Sequence, residues 1–166
     1  KYIKIYNNSD TTLYADGLSI LYSQFMTVDK QEYTPDIMNK AMAVYAILTI
    51  PGSGTDYPVE PGEHIIICDN AIDHREANSN SFDLSKADFE IYYESTNDID
   101  NPDVPNIKTP YDRFIFHNRG SRSLALARIP NIEEYVVKES SIYKYEWTFV
   151  FGEYVFPMDG DCIQVP

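Results

Sequence analysis

The sequence AMAVYAILTI, residues 41–50, is the stretch that decides the fold class of this chain. Apolar side chains fill almost every position, so a β-strand built from these residues has two apolar faces. A strand of this kind is buried on both sides at the centre of a sheet. We therefore predict a central β-strand at these residues.

Two further stretches have β-type patterns of their own. In YIKIY, residues 2–6, Tyr2, Lys4 and Tyr6 share one face of a strand and the isoleucines share the other, because side chains alternate along a strand. HIIIC, residues 64–68, is an apolar run that predicts another buried strand. Both add to the β content indicated by the central stretch.

The second half of the chain continues this β pattern. RFIFHN, residues 113–118, and SLALARI, residues 123–129, flank Arg119-Gly120, an arrangement that is typical of a hairpin. SIYKYEWTFVFGEYVF, residues 141–156, contains an alternating aromatic pattern that predicts a strand. One face of that strand carries the side chains of Tyr143, Tyr145, Trp147, Phe149 and Phe151.

Signals for helices are few. Thr34-Pro35-Asp36 combines an N-cap residue, a proline at the first helical position and an early acid, and it predicts a short helix. At residues 85–88 we predict a turn that leads into a strand at FEIYY, residues 89–93, because this stretch is rich in strand formers. NIEEYVVKES, residues 131–140, fits a short helix or a strand.

The arrangement of these elements predicts an all-β fold. Short strands separated by Gly, Pro and Asn turns, without a repeating strand–helix–strand order, are typical of a β-sandwich or a barrel. The 166 residues suit a single domain over 1–166, with one or two short helices. The polar stretches 23–40, 69–86 and 94–112 are too long for hairpin turns, and we expect these loops to carry function.

Composition narrows the classes of partner. The chain has 13 Lys and Arg against 26 Asp and Glu, a net charge of −13. Nucleic-acid binding depends on Lys and Arg that neutralise phosphates, so no nucleic-acid partner is expected. No apolar run is long enough for a membrane span. Cys68 and Cys162 fit two isolated thiols or one disulfide, and two cysteines do not decide the compartment.

The chain resembles two known groups of proteins. YIKIYNNSDTTLYADGL, residues 2–18, and PVEPGEHIIICDNA, residues 58–71, resemble the lamin-tail domain, in which a Pro-Gly turn leads into an apolar strand. Together with IDHREANSNSFDLSKADFE, residues 72–90, and FHNRGSRSLALARIP, residues 116–130, they resemble a family of Bacteroides surface proteins of unknown function. This resemblance covers nearly the whole chain.

The resemblance implies an immunoglobulin-like, lamin-tail-like β-sandwich with long loops. It implies an extracellular or cell-surface location in an outer-membrane lipoprotein, with the lipid anchor and other β-modules upstream. The chain would then be one domain of a longer multidomain exported protein, and it would not itself insert into the membrane. The resemblance implies no catalytic residues, and fold-level analogy does not supply a function.

The stretch DHRE, residues 73–76, suggests chemistry. His74 is a candidate general base for a hydrolase if Asp73, Asp83 or Asp88 orients its ring. No glycine-framed nucleophile elbow surrounds the nearby serines, and adjacent loop residues do not face one another as a triad requires. We therefore favour a role for this stretch in pinning the long loop that contains it.

A second stretch suggests a metal. NDIDNPD, residues 97–103, places oxygen-bearing side chains at alternating positions, and Ca²⁺ takes roughly six to eight oxygen ligands. The stretch lacks the glycine and the distal glutamate of an EF-hand loop. It fits a solvated acidic loop or a calcium site, whose ligands would be Asp98, Asp100, Asn101 and Asp103.

The aromatic side chains indicate a third kind of site. The chain has 14 Tyr, 8 Phe and 1 Trp, and tyrosine supplies flat contact area at small entropic cost. These residues fit cross-strand packing. If Tyr143, Tyr145 and Trp147 are exposed on one face, they are the candidate ligand-binding surface.

We therefore expect a non-enzymatic surface module with a binding or structural role, whose partner is a protein or a glycan. The first alternative is a carbohydrate- or peptide-binding module assisted by calcium, and the second is a hydrolase that uses His74. No cofactor is expected, apart from calcium in the first alternative.

Overall fold

A computed structural model describes residues 1–28, 41–94, 97–111, 113–117, 119–137, 142–143 and 153–157. Within these ranges the chain is mostly β-strand, with one short α-helix and one 3₁₀ turn, so the all-β prediction is confirmed. Among the residues described, no helix is long and apolar enough to cross a lipid bilayer. The helix predicted at Thr34-Pro35-Asp36 lies outside the described ranges.

Most of the described secondary-structure elements are β-strands. The strands are β1 (Tyr2–Tyr6), β2 (Leu13–Tyr14), β3 (Leu18–Met26), β4 (Ala41–Thr49), β5 (Pro58–Val59), β6 (His64–Cys68), β7 (Phe89–Glu90), β8 (Lys108–Tyr111), β9 (Arg122–Arg128), β10 (Ile142–Tyr143) and β11 (Glu153–Pro157). The 3₁₀ turn is His74–Glu76 and the helix α1 is Ile132–Val137.

The chain divides into two compact units, and each unit is made of two separate segments. The first unit comprises Lys1–Asp16 and Ile50–Lys108, and the second comprises Gly17–Thr49 and Thr109–Pro166. The chain therefore enters each unit twice. The prediction of one domain over 1–166 stays a prediction.

The first unit is built on a three-stranded sheet in the order β1-β6-β7. Strand β1 pairs antiparallel with β6, and β6 pairs parallel with β7. The alternation predicted for YIKIY is confirmed, because Tyr2, Lys4 and Tyr6 are exposed while the isoleucines between them are partly buried. Strands β2 and β5 form a separate pair. A small core lies beside β6, made of Cys68, Ala71, Leu84, Ala87 and Val104.

The second unit contains a six-stranded sheet in the order β10-β11-β4-β3-β9, with β8 also paired to β4. The central strand predicted at 41–50 is confirmed, since β4 lies inside this sheet and Val44, Ala46, Ile47 and Leu48 are fully buried. Burial of apolar side chains on both faces stabilises such a strand by about 25 cal/mol per Å².

The stretch 131–140, which fitted either a helix or a strand, begins with helix α1. Ile132 and Val136 are four residues apart, so they share one helix face, and both are buried in the core of the second unit. That core also contains Leu21, Val44, Ile47, Ala127 and Ile129.

The predicted hairpin around Arg119-Gly120 is confirmed on one side only. SLALARI forms most of β9, whereas residues 113–117 form no strand. Their alternation is nevertheless real, because Phe114 and Phe116 are buried while Ile115 is exposed. The ring of Phe114 packs on that of Phe116, with centroids 5.2 Å apart, and on that of Tyr22, with centroids 4.8 Å apart.

Candidate functional site

Strand β3 is irregular on both of its edges near Tyr22. On one edge the register with β4 shifts between Tyr22 and Ser23. On the other edge, Tyr22 pairs with Leu124 and Met26 pairs with Arg122, so three residues of β3 face a single residue of β9. Such a bulge releases backbone groups from the ladder and is common near functional sites.

Arg122 satisfies the backbone groups that this bulge releases. Its Nη1 donates to the carbonyl oxygen of Ser23, at 2.7 Å, and to that of Gln24. Its guanidinium carbon lies 4.7 Å from the ring centroid of Tyr45 and 5.7 Å from that of Tyr22. The guanidinium is therefore held in place by hydrogen bonds and by cation–π contacts.

A cavity of about 90 Å³ opens beside this arginine, and we call it the bulge cavity. Its volume is several times what one water molecule needs. All of its lining residues belong to the second unit: Tyr22, Phe114, Phe116, His117, Gly120, Ser121, Arg122 and Leu124. Aromatic walls with a few polar groups are typical of small-molecule sites.

The polar groups of the bulge cavity are incompletely partnered. The Tyr22 hydroxyl is buried and makes no hydrogen bond of ordinary geometry in the described chain. Burial raises the pKa of Tyr22 above its ordinary value, and the charge of Arg122 opposes that rise. The nearby Ser121 side chain lowers the pKa of Tyr22, but by less than burial raises it. The phenol therefore stays protonated at neutral pH and acts as a hydrogen-bond donor.

The residues of the hydrolase hypothesis lie in the first unit, where other contacts engage them. The Nε2 atom of His74 lies 3.1 Å from the backbone oxygen of Asn70. Arg75 donates to both Asp73 and Asp83, at 2.7 Å and 2.8 Å, and its hydrogen bonds hold the pKa of Asp73 at about 2. The described bonds therefore tie the two acids to Arg75 rather than to the ring of His74.

The third acid of that hypothesis is also engaged. Asp88 accepts a hydrogen bond of 2.7 Å from the backbone N–H of Ile66. Ser85, one of the nearby serines, donates its hydroxyl proton to Asp83 at 2.6 Å. Asp73 in addition caps the 3₁₀ turn by accepting from the N–H of Arg75. These hydrogen bonds hold the loop in a fixed conformation.

The four residues of the calcium hypothesis each have a role in ordering the loop. Asp98 accepts from the amide of Asn70 and the N–H of Tyr93, at 2.7 Å and 2.8 Å. Asp100 accepts from the Asn106 amide at 3.0 Å. Within the described ranges, no group of three His, Cys, Asp or Glu side chains is arranged to hold a metal ion. The calcium site stays a prediction.

The remaining two calcium candidates are Asn101 and Asp103, and Asn101 binds a buried carboxylate that sequence reasoning did not find. Asn101 donates its side-chain amide to the carbonyl of Ala71 at 2.8 Å, and it accepts from the N–H of Asp103 at 3.1 Å. Its own N–H donates to Glu90 at 2.6 Å, and the N–H of Ala71 donates to the same carboxylate at 2.9 Å. Glu90 is fully buried. Burial raises its pKa, the hydrogen bonds from Ala71 and Asn101 oppose this rise, and the charges of Asp100 and Asp98 add to it.

The aromatic candidates near the end of the chain are only partly described. Tyr143 belongs to β10, where it pairs with Glu153, whereas Tyr145 and Trp147 lie outside the described ranges.

Cys68 is a buried free thiol, and burial raises its pKa to about 12. Cys162 lies outside the described ranges. The signal that was missed for the bulge cavity is the pair Phe114 and Phe116, which the sequence presents as an ordinary strand.

Residues 60–166 match the family model described as "Protein of unknown function (DUF4876)". The chain belongs to the DUF4876 family. The fold is similar to the crystal structure of a DUF4876 family protein from Bacteroides thetaiotaomicron VPI-5482, with a TM-score of 0.79 at 21% identity. The similarity covers 96% of this chain and 46% of that chain, so this chain spans less than half of that protein. No curated protein matches the chain.

Membership of the DUF4876 family confirms the resemblance to Bacteroides proteins of unknown function. The structural similarity, at 21% identity, shows the fold alone. The finer form of that fold, an immunoglobulin-like or lamin-tail-like sandwich, stays a prediction for this DUF4876 chain.

Proposed function

We propose that this chain is a non-enzymatic binding module and that the bulge cavity is its ligand site. The observation that carries the proposal is the position of Arg122, a half-buried cation at the edge of an aromatic cavity, without an ion pair in the described chain. Charged groups that leave water are normally paired. A ligand that completes this site gains both the apolar walls and the polar donors.

The contacts of the candidate catalytic residues support the non-enzymatic part of the proposal. The hydrolase hypothesis requires Asp73, Asp83 or Asp88 to orient the ring of His74, whereas these acids accept from Arg75 and Ile66 and the ring contacts the backbone oxygen of Asn70. If His74 is no catalyst, replacing it by Ala leaves any activity of the protein unchanged. Loss of a measured activity in this variant favours the hydrolase instead.

The cellular context is part of the same proposal. We place the chain as a lamin-tail-like, immunoglobulin-like β-sandwich module of an exported protein at the bacterial cell surface, with a lipid anchor and sister β-modules elsewhere in the full-length protein. The similar protein from Bacteroides thetaiotaomicron supports this context, because its chain is about twice as long as the region it shares with this one. The net charge of −13 keeps such a surface soluble and disfavours nucleic acid as a partner.

The ligand classes proposed are a glycan and a peptide, and both suit aromatic walls. The experiment is a glycan array and a peptide library, followed by calorimetry on each hit with the wild type and Ser121→Trp. Ser121 lines the bulge cavity, so the indole fills the cavity, and we expect at least about tenfold weaker binding, a change of about 1.4 kcal/mol.

A matched control separates cavity blocking from a general effect of tryptophan. Ser123 lies close to Ser121 in the chain, is exposed on β9 and does not line the cavity, so Ser123→Trp should bind as the wild type does. Circular dichroism and the thermal midpoint verify that both variants are folded. Equal affinity of Ser121→Trp and Ser123→Trp for every hit contradicts the assignment of the cavity, and the absence of any hit contradicts the binding function.

The calcium-assisted form of the proposal has its own test. A ligand that binds only the folded state stabilises it by about 2.7 kcal/mol at a hundred times its Kd. Millimolar Ca²⁺ should therefore raise the Tm of the wild type and raise that of Asp98→Asn by less, with Mg²⁺ as the control ion. A Tm that does not respond to Ca²⁺ removes calcium from the proposal.

A further inference from the structure

The guanidinium of Arg122 has more N–H donors than its described hydrogen bonds use. Both of its described hydrogen bonds leave from Nη1, toward the carbonyls of Ser23 and Gln24. An arginine side chain also carries N–H groups on Nε and Nη2, in a planar fork that matches a carboxylate. Nη1 thus binds the carbonyls of the bulge, and the N–H groups of Nε and Nη2 are available to a ligand.

The surroundings of Arg122 favour an anionic partner. The residue is half-buried, its ring contacts are with Tyr22 and Tyr45, and no carboxylate within the described ranges pairs with it. This is notable in a chain with 26 acidic residues. Its Coulombic attraction for an anion exceeds that of an exposed arginine, because part of the surrounding water is excluded. The general repulsion from the acidic surface is screened beyond roughly 8 Å at physiological salt.

The rest of the bulge cavity determines what the anion is attached to. Three aromatic rings form its wall, those of Tyr22, Phe114 and Phe116. The ring centroids of Tyr22 and Phe114 lie 4.8 Å apart, and those of Phe114 and Phe116 lie 5.2 Å apart. Rings of this kind pack against another flat group of similar size. Ser121 and His117 add polar residues to the lining. The cavity thus combines one cation with a surface suited to a ring.

We infer that the bulge cavity binds a small ring-bearing carboxylate, with the carboxylate on the free side of Arg122 and the ring against the phenylalanines. This inference rests on the proposed binding function and deepens it. The same chemistry has two sources, a free organic acid and a uronic acid residue of an acidic glycan. In both, charge-assisted hydrogen bonds from arginine to the carboxylate provide the discrimination against neutral analogues.

The test is calorimetry with four probes on the folded wild-type chain: benzoate, benzyl alcohol, glucuronate and glucose. We expect at least one carboxylate to bind about tenfold or more tightly than its neutral counterpart, and its affinity to fall as NaCl is raised. Preference for glucuronate indicates a glycan source, and preference for benzoate indicates a free acid. Preference for both supports the shared chemistry.

The variants that test the role of the arginine are Arg122→Gln and Arg122→Lys. Gln keeps an amide donor for the carbonyls of the bulge but removes the charge, so we expect the preference for carboxylates to disappear. Lys keeps the charge without the planar fork, so we expect part of the preference to remain. Arg119→Gln makes the same change of net charge at an exposed residue outside the cavity lining and should behave as the wild type does.

The failure of this inference is distinguishable from that of the binding function. If neutral and anionic probes bind equally, or if a library ligand is lost in Ser121→Trp but kept in Arg122→Gln, the carboxylate inference is overturned and the binding site stands. If no probe and no library ligand binds the wild type, both are overturned. If the thermal midpoint of Arg122→Gln falls with no change in the binding of carboxylates, Arg122 has a structural role only, which is to stabilise the bulge, and the inference is overturned.

Discussion

Replacing Gly52 by Ala should lower the free energy of unfolding by about 4 kcal/mol. Gly52 has a φ of 127°, and an added Cβ would lie 2.1 Å from the Oδ1 atom and 2.7 Å from the Cγ atom of Asp16. The substitution therefore combines a strained backbone, at about 1–3 kcal/mol, with displacement of a buried carboxylate.

Asp16 is costly to displace because it holds the loop that contains Gly52. Its carboxylate accepts from the N–H groups of Gly54, Asp56 and Tyr57, at 3.0, 2.9 and 2.9 Å, and only 4% of the residue is exposed. Burial raises the pKa of Asp16, but the backbone hydrogen bonds together outweigh burial and lower it. Hydrogen bonds to a charged group contribute about 1.5–3 kcal/mol each.

Gly54 provides the matched control for Gly52. Its φ is 120°, close to that of Gly52, but a Cβ there meets nothing within 4 Å. Urea unfolding should therefore give a loss for Gly54→Ala from backbone strain alone, clearly smaller than that for Gly52→Ala. In the Asp16→Ala background the two losses should converge. Equal losses in the wild-type background would contradict the role assigned to Asp16.

The second large effect is expected at Glu90. Replacing it by Ala removes a fully buried acceptor from the N–H groups of Ala71 and Asn101 and leaves a void, so we expect a loss of about 3 kcal/mol in the free energy of unfolding. Glu94→Ala changes the same residue type at an exposed position and should be within about 0.5 kcal/mol of the wild type. A loss at Glu90 as small as that at Glu94 would refute the role of the buried carboxylate.

The pH dependence of Glu90→Gln tests the state of that carboxylate. The pKa of Glu90 is raised above its ordinary value of 4.5, so the folded protein holds this proton more tightly than the unfolded chain does. Its contribution to stability is complete below about 4.5 and is lost as the pH rises through the folded pKa. The free energy of unfolding of the wild type minus that of Glu90→Gln should therefore decrease from pH 4 to pH 7. An increase of this signed difference with pH would contradict a raised pKa.

The strands that lie in the core could be predicted from the sequence because their patterns are local. AMAVYAILTI is apolar at both odd and even positions, and β4 is buried on both faces. YIKIY alternates, and β1 has one exposed face. In both cases the side chains that decide the strand lie within the strand itself, so no knowledge of other segments is needed.

The features that define the candidate sites depend on segments distant in sequence. Glu90 lies in FEIYY, which reads as a plain strand, and its burial depends on N–H groups supplied by residues 71 and 101. The bulge of β3 depends on register against two different partners. In NDIDNPD the alternating oxygens suggested calcium ligands, and the structure places Asp98 against the side-chain amide of Asn70, 28 residues away, and Asp100 against that of Asn106. No pattern within one segment encodes such contacts.

The path of the chain through its two units bears on how fragments should be expressed. The family match begins at residue 60, which makes this residue a natural choice for a truncated clone. Such a clone would retain β6 without its antiparallel partner β1, and β9 without β3. Both sheets would expose unpaired backbone at newly created edges, and such edges promote aggregation. Soluble protein should therefore require the first 59 residues, even though the family signature does not include them.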